Sequence, residues 1–293
     1  MEENPLKESE KDENPEQASY VSLPPSKNAQ KKLLKQQKFE AKKTERKEYL
    51  KQKKRNETER KRKEWEDQLS TMKEDEKEAL ISSRKKLRQE RMSKRAEQKD
   101  EKLSRLTKAK EEGINIILDL DFSHLMTSSE INSLTQQIMY CYAVNGRSQS
   151  PAHLWLTSCR GEIGGQLQKL PGFEKWVVEK EERSYFEALE EHKERLVYLT
   201  ADSENTLEEL DSNAMYIIGG IVDRNRWKGI TMEKAEKQEI RTAKLPIGSF
   251  VKLSSSQVLT VNQVLEIMVK YGETGDWKAS FFQVIPPRKL HQL

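Results

Sequence analysis

A single acidic residue stands among apolar and basic residues in the segment YIIGGIVDRNRWKG, which covers residues 216–229. The apolar part predicts a buried strand, and Gly219 and Gly220 inside it indicate a close approach of backbone or ligand. Asp223 follows the apolar run and so falls at the carboxyl end of the predicted strand, where open α/β sheets bind ligands. Its carboxylate could contact a ligand there, or it could cap the turn that follows.

The elements that must position this segment alternate between strand and helix patterns. Short apolar or β-branched runs predict strands at residues 114–120, 152–158, 196–200 and 214–222. Helical patterns lie at residues 128–143, in a mixed region up to 192, and at 203–210, 231–239 and 258–277. Such alternation predicts an α/β fold with a parallel sheet covered on both faces.

Motifs of several other enzyme classes are absent from the sequence. Neither G-x-G-x-x-G nor G-x-x-x-x-G-K-[ST] occurs, and GEIGG at residues 161–165 has a different spacing, which argues against a dinucleotide site or a P-loop. No G-x-S-x-G elbow is present to expose a nucleophilic serine. The four histidines are scattered, at His124, His153, His192 and His291. No metal site is expected.

The net charge of +4 is unevenly distributed along the chain. Residues 31–110 carry a net charge of +14, whereas residues 1–30 carry −4 and residues 111–293 carry −6. Because residues 28–110 contain no proline or glycine, they are predicted to form a basic helical arm. Residues 1–27, rich in Glu, Asn, Pro and Ser, are predicted to be a disordered acidic tail. The charge asymmetry favours a polyanionic partner.

Three roles remain open for the basic arm. Contact with nucleic acid is favoured, because cations that neutralise phosphates give affinity independent of sequence. The cluster KQKKRNETERKRKEW at residues 51–65 could also be a nuclear import signal. The third interpretation is a solvated charged helix. The arm's apolar residues are sparse and keep no heptad, which argues against a long coiled coil.

The cysteines and the apolar runs bear on the compartment. Cys141 and Cys159 show no metal-type spacing, and a reduced intracellular setting is expected. The acidic start has no apolar signal region, and no apolar run approaches the ~20 residues needed to cross a bilayer. The sequence therefore predicts a soluble protein of the nucleus or the cytoplasm, with no membrane partner.

Six segments, taken in order, resemble one known family. They are IILDLDFSHLM, LVYLTADS, YIIGGIVDRNRWKG, AKLPIG, VLTVNQVLEI and DWKASFFQVIPPRK. Together they are similar to the tRNA (purine-9) N1-methyltransferases, a branch of the SPOUT methyltransferases, over residues 114–289. The basic arm matches the layout of that family through composition rather than through a motif.

This resemblance implies a SPOUT-type α/β domain at residues 111–293, with a C-terminal trefoil knot that binds S-adenosylmethionine. Knots are nearly absent from other proteins, so strand patterns alone could not predict one. Glycines suit the pocket because no Cβ then separates backbone from ligand. The matching cofactor positions are Leu199, Thr200, Gly219, Gly220, Lys244, Leu245, Pro246, Ile247, Val258, Leu259, Thr260 and Asn262.

The resemblance also implies roles for charged residues. Asp223 matches the family's proposed general base, which would take the proton of guanine N1 during methyl transfer. The cations that follow would hold phosphates and keep Asp223 ionised. The nearby Trp227 could stack on a base or pack in the fold. The residues expected to contact substrate are Asp119, Asp121, Arg224, Asn225, Arg226, Lys228 and Arg288.

The sequence is thus interpreted as a monomeric tRNA methyltransferase that uses S-adenosylmethionine and modifies N1 of guanine at the ninth nucleotide. Adenine could be a second substrate, and Asp223 does not decide this because adenine N1 needs no deprotonation. The alternative is a non-catalytic RNA-binding or scaffold protein, which would explain only the basic arm. A Rossmann-type methyltransferase is disfavoured, since LDLDFSHLM contains no glycine-rich loop.

Overall fold

A computed structural model of the chain describes residues 26–224, 226–253, 259–287 and 290–291. The chain divides into two compact units, Met1–Leu87 and Arg88–Leu293. All but the last two residues of the predicted disordered tail, 1–27, lie outside the described residues. The disorder of that tail stays a prediction.

The first unit contains helix α1, Lys27–Ser70, and the beginning of helix α2, Glu74–Glu112. Good helix formers and the lack of glycine and proline explain both helices. Their surfaces are mostly exposed and carry i,i+4 ion pairs, such as Arg62 with Glu66 at 2.9 Å. The described residues of this region are thus mostly helical. Its assignment as a distinct basic arm stays a prediction.

The predicted helical arm is interrupted at residues 71–73, between α1 and α2. Ser70 Oγ donates to the carbonyl of Asp67 at 2.7 Å, and Thr71 Oγ1 donates to that of Gln68 at 3.0 Å. Serine and threonine side chains that bond to nearby carbonyls compete with the helical pattern. These short polar side chains were the available signal for the break.

The second unit is built on a six-stranded parallel sheet, in the order β3-β2-β1-β5-β4-β6. The predicted α/β class with a parallel sheet is confirmed. The strands are β1 Asn115–Asp119, β2 His153–Thr157, β3 Glu179–Lys180, β4 Leu196–Leu199, β5 Met215–Gly219 and β6 Arg241–Ala243. A separate antiparallel pair consists of β7 Lys252–Leu253 and β8 Leu290–His291.

Helices cover the sheet and complete this unit. They are α3 Ser128–Asn145, α4 Gly161–Gln168, α5 Tyr185–Ala188, α6 Ile230–Lys237, α7 Ile247–Phe250, α8 Val261–Thr274 and α9 Trp277–Val284. Short 3-10 helices lie at Asp121–Leu125, Phe173–Lys175 and Glu190–Arg195. In the described part of the chain, no helix combines the length and the apolar character that a membrane crossing requires.

Alternate residues of the central strands pack into two apolar clusters. In β1, Ile116 and Leu118 belong to one cluster and Ile117 belongs to the other. In β5, Tyr216 and Ile217 are divided between the clusters in the same way. Successive side chains of a strand point to opposite faces. Burial of both faces explains why these strands appear in the sequence as continuous apolar runs.

The register of the sheet brings several strand ends to one edge. Asp119 at the end of β1 pairs with Thr157 in β2 and with Gly219 in β5. Leu199 at the end of β4 pairs with Ala243 at the end of β6. Because all six strands are parallel, their carboxyl ends share this edge. This is the side on which open α/β sheets bind ligands.

One predicted helix and one predicted strand end near this edge are wrong. Residues 203–210 form no helix, because Thr206 bridges to Lys244 in parallel and the Leu207 amide donates to the Lys244 carbonyl at 2.8 Å. Strand β5 ends at Gly219 and not at residue 222. The chain turns there, since the Ile221 amide donates to the Gly219 carbonyl at 3.0 Å.

The predicted C-terminal helix at 258–277 is two elements. Helix α8 ends at Thr274, and Gly275 follows it with a positive φ of 66°. Glycine in the left-handed region is a common helix terminator. Helix α9 then begins at Trp277, after the Asp276 side chain accepts bonds from the amides of residues 278 and 279.

The last part of α2 belongs to the second unit and packs on it. Leu106 and Ala109 are 3% and 5% exposed. Lys110 Nζ lies 2.6 Å from Glu179 Oε1, and Lys102 Nζ lies 4.6 Å from the centre of the Tyr142 ring. The predicted boundary between arm and domain at residue 110 thus falls inside a docked helix, whereas the structural division is at Leu87.

Candidate active site

A cavity of about 190 Å³ lies at the carboxyl edge of the sheet, beside the ends of β4, β5 and β6. Its wall combines apolar side chains with hydroxyl, carboxylate and ammonium groups. The lining residues are Leu199, Thr200, Ala201, Asp202, Ile218, Gly219, Ile221, Asp223, Trp227, Lys228, Gly229, Ile230, Thr231, Lys244, Leu245, Ile247, Leu259, Val261 and Val264. A concave site with a few convergent polar groups at this edge is typical of a small-molecule site.

The predicted cofactor residues are largely brought together in this wall. Those present are Leu199, Thr200, Gly219, Lys244, Leu245, Ile247 and Leu259. Gly220, Pro246, Thr260 and Asn262 are not among the lining residues. Val258 lies outside the described residues. The distant segments of the prediction therefore converge, although individual positions within them differ.

The sequence did not predict that α6 and several residues next to the predicted positions contribute to the wall. The missed lining residues are Ala201, Asp202, Ile218, Ile221, Gly229, Ile230, Thr231 and Val264. Thr231 Oγ1 donates to Thr200 Oγ1 at 2.9 Å, which joins the start of α6 to the end of β4. The signal that could have located α6 at the site is its position in sequence, directly after the Asp223 segment.

Gly219 at the end of β5 and Gly220 directly after it have different structural roles. A Cβ on Gly219 would lie 2.8 Å from Thr231 Cγ2 and 3.2 Å from Tyr198 Oη, so the cavity wall is backbone at this position. A Cβ on Gly220 would lie 2.7 Å from the Asp119 carbonyl oxygen. The lack of a Cβ at Gly220 thus allows the chain after β5 to pass close to the end of β1. The predicted contact of Gly220 with the cofactor stays a prediction.

Asp223 forms part of the wall and also caps the turn that follows it. Its Oδ2 accepts a hydrogen bond from the Trp227 amide at 2.7 Å. Its carbonyl accepts a bond from Arg226 Nε at 3.0 Å. The two roles considered for this residue are therefore compatible. Trp227 itself is 44% exposed and lines the cavity.

The predicted substrate-binding cations are not equivalent. Lys228 lines the cavity and is exposed. Arg224 is exposed and has a positive φ of 54°. Arg226 Nη2 donates to Glu130 Oε2 at 2.8 Å, so its guanidinium is engaged within the protein. Two further predicted residues, Asn225 and Arg288, lie outside the described residues.

Asp119 and Asp121 both form ion pairs with the ammonium group of Lys234. Lys234 Nζ lies 2.7 Å from Asp119 Oδ2 and 3.0 Å from Asp121 Oδ2. Tyr198 Oη also donates to Asp119 Oδ2, at 2.8 Å. Burial raises the pKa of the Asp119 carboxyl, and Lys234 and Tyr198 oppose part of that shift.

The predicted substrate contact by Asp119 is corrected on these grounds. Its side chain is 0% exposed, and its hydrogen bonds run to β4, α6 and the backbone after β1. Asp121 is 41% exposed through its side chain and remains accessible. Lys234 was the missed member of this cluster, and no spacing in the sequence indicated it.

The histidines show no arrangement for metal binding or catalysis in the described part of the chain. His153 Nε2 lies 3.2 Å from Glu179 Oε1, and burial lowers the pKa of this histidine although Glu179 opposes the shift. His124 Nδ1 lies 3.0 Å from the Asp121 carbonyl oxygen. Across the residues that the structure describes, no group of three or more His, Cys, Asp or Glu side chains could hold a metal ion.

The fold and the site together define an α/β protein with a parallel sheet and a small-molecule cavity at its carboxyl edge. The chain matches the family model of the tRNA (guanine(9)-N(1))-methyltransferase TRM10/TRM10A over residues 24–290. This match covers most of the sequence, and the chain belongs to that family. The resemblance seen in the sequence motifs is confirmed.

Individual relatives agree with the family match. The chain is 44% identical over 183 residues to the tRNA (guanine(9)-N1)-methyltransferase of Schizosaccharomyces pombe, covering 60% of this chain and 59% of that protein. It is 43% identical over 182 residues to the tRNA methyltransferase 10 homolog A of Homo sapiens, covering 60% and 52%. The chain thus spans between half and three fifths of the length of these relatives.

A solved structure is also similar. The crystal structure of spTrm10 (full length) in complex with SAH aligns with a TM-score of 0.55 and 44% sequence identity. The alignment covers 59% of this chain and 95% of that chain. SAH is the product that remains when S-adenosylmethionine has given up its methyl group.

Proposed function

We propose that this chain transfers the methyl group of S-adenosylmethionine to N1 of guanine at the ninth nucleotide of tRNA. The observation that carries the proposal is the cavity at the carboxyl edge, which contains the Asp223 carboxylate in its wall. Membership of the family supports the choice of reaction and of substrate. Guanine alone, and not adenine, is proposed because the family description and the S. pombe relative both specify guanine.

The residues of the cavity fit the methyl donor. Apolar side chains such as Leu245 and Val264 would cover the adenine ring, and the Thr200 hydroxyl would be available to the ribose. Gly219 contributes only backbone to the wall, which the donor could contact directly. S-adenosylmethionine, when bound, supplies a methyl group activated by a positively charged sulfur.

Asp223 would act on the nucleophile. Guanine N1 carries a proton at neutral pH and attacks poorly until that proton is removed. The Asp223 carboxylate would accept this proton, so that the N1 lone pair could bond to the methyl carbon while the bond from that carbon to sulfur breaks and its electron pair stays on the sulfur as a neutral thioether. The hydrogen bond from the Trp227 amide fixes one carboxylate oxygen, so the acceptor is oriented before the substrate arrives.

tRNA is proposed as the partner of the basic arm. Exposed Lys and Arg side chains cover α1, and helices of this kind neutralise phosphates without reading the base sequence. Lys228 and Arg224 would add contacts close to the cavity. The arm would then supply affinity, while the cavity would select the nucleotide.

We also propose that the C-terminal part of the domain forms a trefoil knot. The loop after β6 and the start of α8 contribute to one cavity together with the ends of β4 and β5. That combination of segments agrees with the knotted cofactor site of SPOUT enzymes. Mechanical unfolding between the chain ends tests this, because a tightened knot shortens the extended chain relative to an unknotted chain of equal length.

A monomer in the nucleus or the cytoplasm is the proposed working form. The resemblance of the sequence to this branch of the SPOUT enzymes supports the monomer. The basic cluster at residues 51–65 supports import into the nucleus. Sedimentation of the purified protein tests the first statement, and imaging of a fluorescent fusion with and without these residues tests the second.

The proposed activity is tested by incubating the protein with unmodified tRNA and S-adenosylmethionine. Nucleosides are then separated and identified by mass spectrometry, and donor binding is measured by calorimetry. We expect N1-methylguanosine and a one-to-one complex with the donor. Absence of both would contradict the proposal and would favour the alternative of a non-catalytic RNA-binding protein.

A further inference from the structure

The turn that carries Asp223 is attached to the beginning of α3. Arg226 Nη2 donates to Glu130 Oε2 at 2.8 Å, and Arg226 Nε donates to the Asp223 carbonyl at 3.0 Å. One guanidinium therefore joins α3 to the backbone of Asp223. Arginine suits such a bridge because its planar group presents several donors in a fixed geometry.

Glu130 is itself held in one orientation. The same Oε2 accepts hydrogen bonds from the Thr127 amide at 2.9 Å and from the Thr127 hydroxyl at 3.0 Å, as part of the capping box of α3. The Thr127 amide, and after it the Thr127 hydroxyl and Arg226, lowers the pKa of Glu130. The acceptor of the guanidinium is therefore an oriented and ionised carboxylate.

The turn also needs outside contacts to keep its shape. Arg224, directly after Asp223, has a φ of 54°, in the left-handed region that non-glycine residues rarely adopt. A residue in that region persists when its surroundings determine the conformation. Glu130 in the first turn of α3 supplies one such contact through Arg226. Met126, two residues before α3, supplies a second, because its Sδ accepts from the Val222 amide at 3.2 Å.

We propose that Arg226 and Glu130 are a positioning pair, which holds the Asp223 carboxylate in the cavity wall. The pair acts through the backbone of the turn and does not contact tRNA phosphate. This inference rests on the proposed role of Asp223 as the base. It replaces the expectation from the sequence that Arg226 is a substrate contact. A displacement of about 1 Å in a reacting group can slow catalysis by about 100-fold.

The test compares Arg226→Lys and Glu130→Ala with a matched control. Glu187 closes the capping box of α5 in the same way, with the Ser184 amide at 2.9 Å and the Ser184 hydroxyl at 2.8 Å. Both test variants should slow single-turnover methyl transfer by roughly 10- to 100-fold. Their affinities for donor and tRNA should stay within about twofold of wild type. Glu187→Ala should leave the rate unchanged.

Two further measurements distinguish the possible failures. In an Asp223→Asn background, Arg226→Lys should slow methyl transfer by less than about a further twofold, because the effects of residues that act through one group are not additive. If Asp223→Asn alone transfers at the wild-type rate, the proposed base is wrong. If Asp223→Asn transfers slowly but Arg226→Lys transfers at the wild-type rate, the proposed role of the positioning pair is wrong. It is also wrong if Arg226→Lys binds tRNA more weakly and with a shallower salt slope, because Arg226 then contacts phosphate.

Hydrogen exchange tests the attachment independently of activity. The amides of residues 221–229 should exchange at least about fivefold faster in Arg226→Lys and in Glu130→Ala, because the turn is then no longer held to α3. Glu187→Ala should leave that segment unchanged. Unaltered exchange in both test variants would overturn the proposal even where no methyl transfer is detected.

Discussion

The side chain of the residue Asp223 has two structural roles. Its Oδ2 accepts the Trp227 amide at 2.7 Å, and its side chain forms part of the cavity wall. Asparagine can keep the hydrogen bond from the Trp227 amide through its amide oxygen but cannot accept a proton as a carboxylate does. The two functions can therefore be separated by one substitution.

Asp223→Asn should retain the fold and the affinity for the donor. Methylation of guanine should slow by roughly 10²- to 10⁴-fold if proton removal limits the rate. Single-turnover rates measure this effect. Asp276→Asn is the matched control, since Asp276 also caps a turn, accepting from the Lys278 amide at 2.8 Å, but lies outside the cavity wall. Equal rates for Asp223→Asn and wild type would exclude the base role.

Gly219 and Gly220 give a second prediction. Gly219→Ala should weaken donor binding, because the new Cβ meets the Thr231 side chain in the wall at 2.8 Å. Gly220→Ala should mainly lower the melting temperature, because its Cβ meets the Asp119 carbonyl oxygen at 2.7 Å. Calorimetry and thermal unfolding separate the two effects.

A control for both glycine variants is available in α4. A Cβ on Gly165 meets nothing within 4 Å, so Gly165→Ala should leave donor binding intact and leave stability unchanged or slightly improved. If Gly219→Ala bound the donor normally while Gly220→Ala did not bind it, the assignment of the two glycines would have to be exchanged.

The two glycines and Asp119 show which features of the site the sequence could and could not predict. Glycines within a strand predicted a close approach, and both positions have one. Which glycine faces the cavity depends on where β5 ends and on what lies opposite, namely Thr231 or the Asp119 carbonyl. Likewise, the position of Asp119 at a strand end was predictable. Its enclosure by Lys234 and Tyr198 was not, because both partners are distant in sequence.

Among the elements, the last turns of α2 are part of the second unit. Leu106 is 3% exposed on this helix, while Leu103 is 47% exposed. Leu106→Asp should destabilise the second unit by about 2–5 kcal/mol, as expected when a buried leucine is removed. Leu103→Asp should change stability by less than about 0.5 kcal/mol. Chemical unfolding of both variants tests whether α2 is docked.

The elements were predictable in proportion to the strength of their local signals. Strands β1, β2 and β4 had continuous apolar runs and lie where the sequence placed them. The segment 203–210 has helix-forming residues, yet Thr206 within it pairs with Lys244, because pairing at the sheet edge outweighs local propensity. The docking of α2 had no strong signal in the sequence, because the buried residues of this long charged helix are Leu106 and Ala109.

At the scale of the whole molecule, the first unit should supply affinity and the second should supply chemistry. Residues 1–87 carry a net charge of +5, while residues 88–293 carry −1. Removal of residues 1–87 should leave a folded second unit that binds the donor normally. Affinity for tRNA should fall strongly at moderate salt, and the salt slope should become shallower by about 0.9 for each duplex phosphate that the protein no longer neutralises.

Removal of residues 1–110 is the informative comparison for this truncation. It deletes Leu106 and Ala109 as well as the ion pair of Lys110 with Glu179. The shorter chain should therefore melt at a lower temperature than residues 88–293. Titration of tRNA across a salt series, with thermal unfolding of both chains, checks these statements. Equal salt slopes for the full chain and residues 88–293 would show that the first unit does not bind tRNA.

The proposed methylation of guanine N1 at one nucleotide of tRNA, at the cavity beside Asp223, can be measured directly. Nuclease fragments are mapped by mass from tRNA incubated with the protein and S-adenosylmethionine, using a tRNA with guanine at position 9 and the same tRNA with uracil there. We expect a single N1-methylguanosine at the ninth nucleotide of the first tRNA and no methylation of the second. Methylation elsewhere, on another atom, or equally in both tRNAs would contradict the proposal.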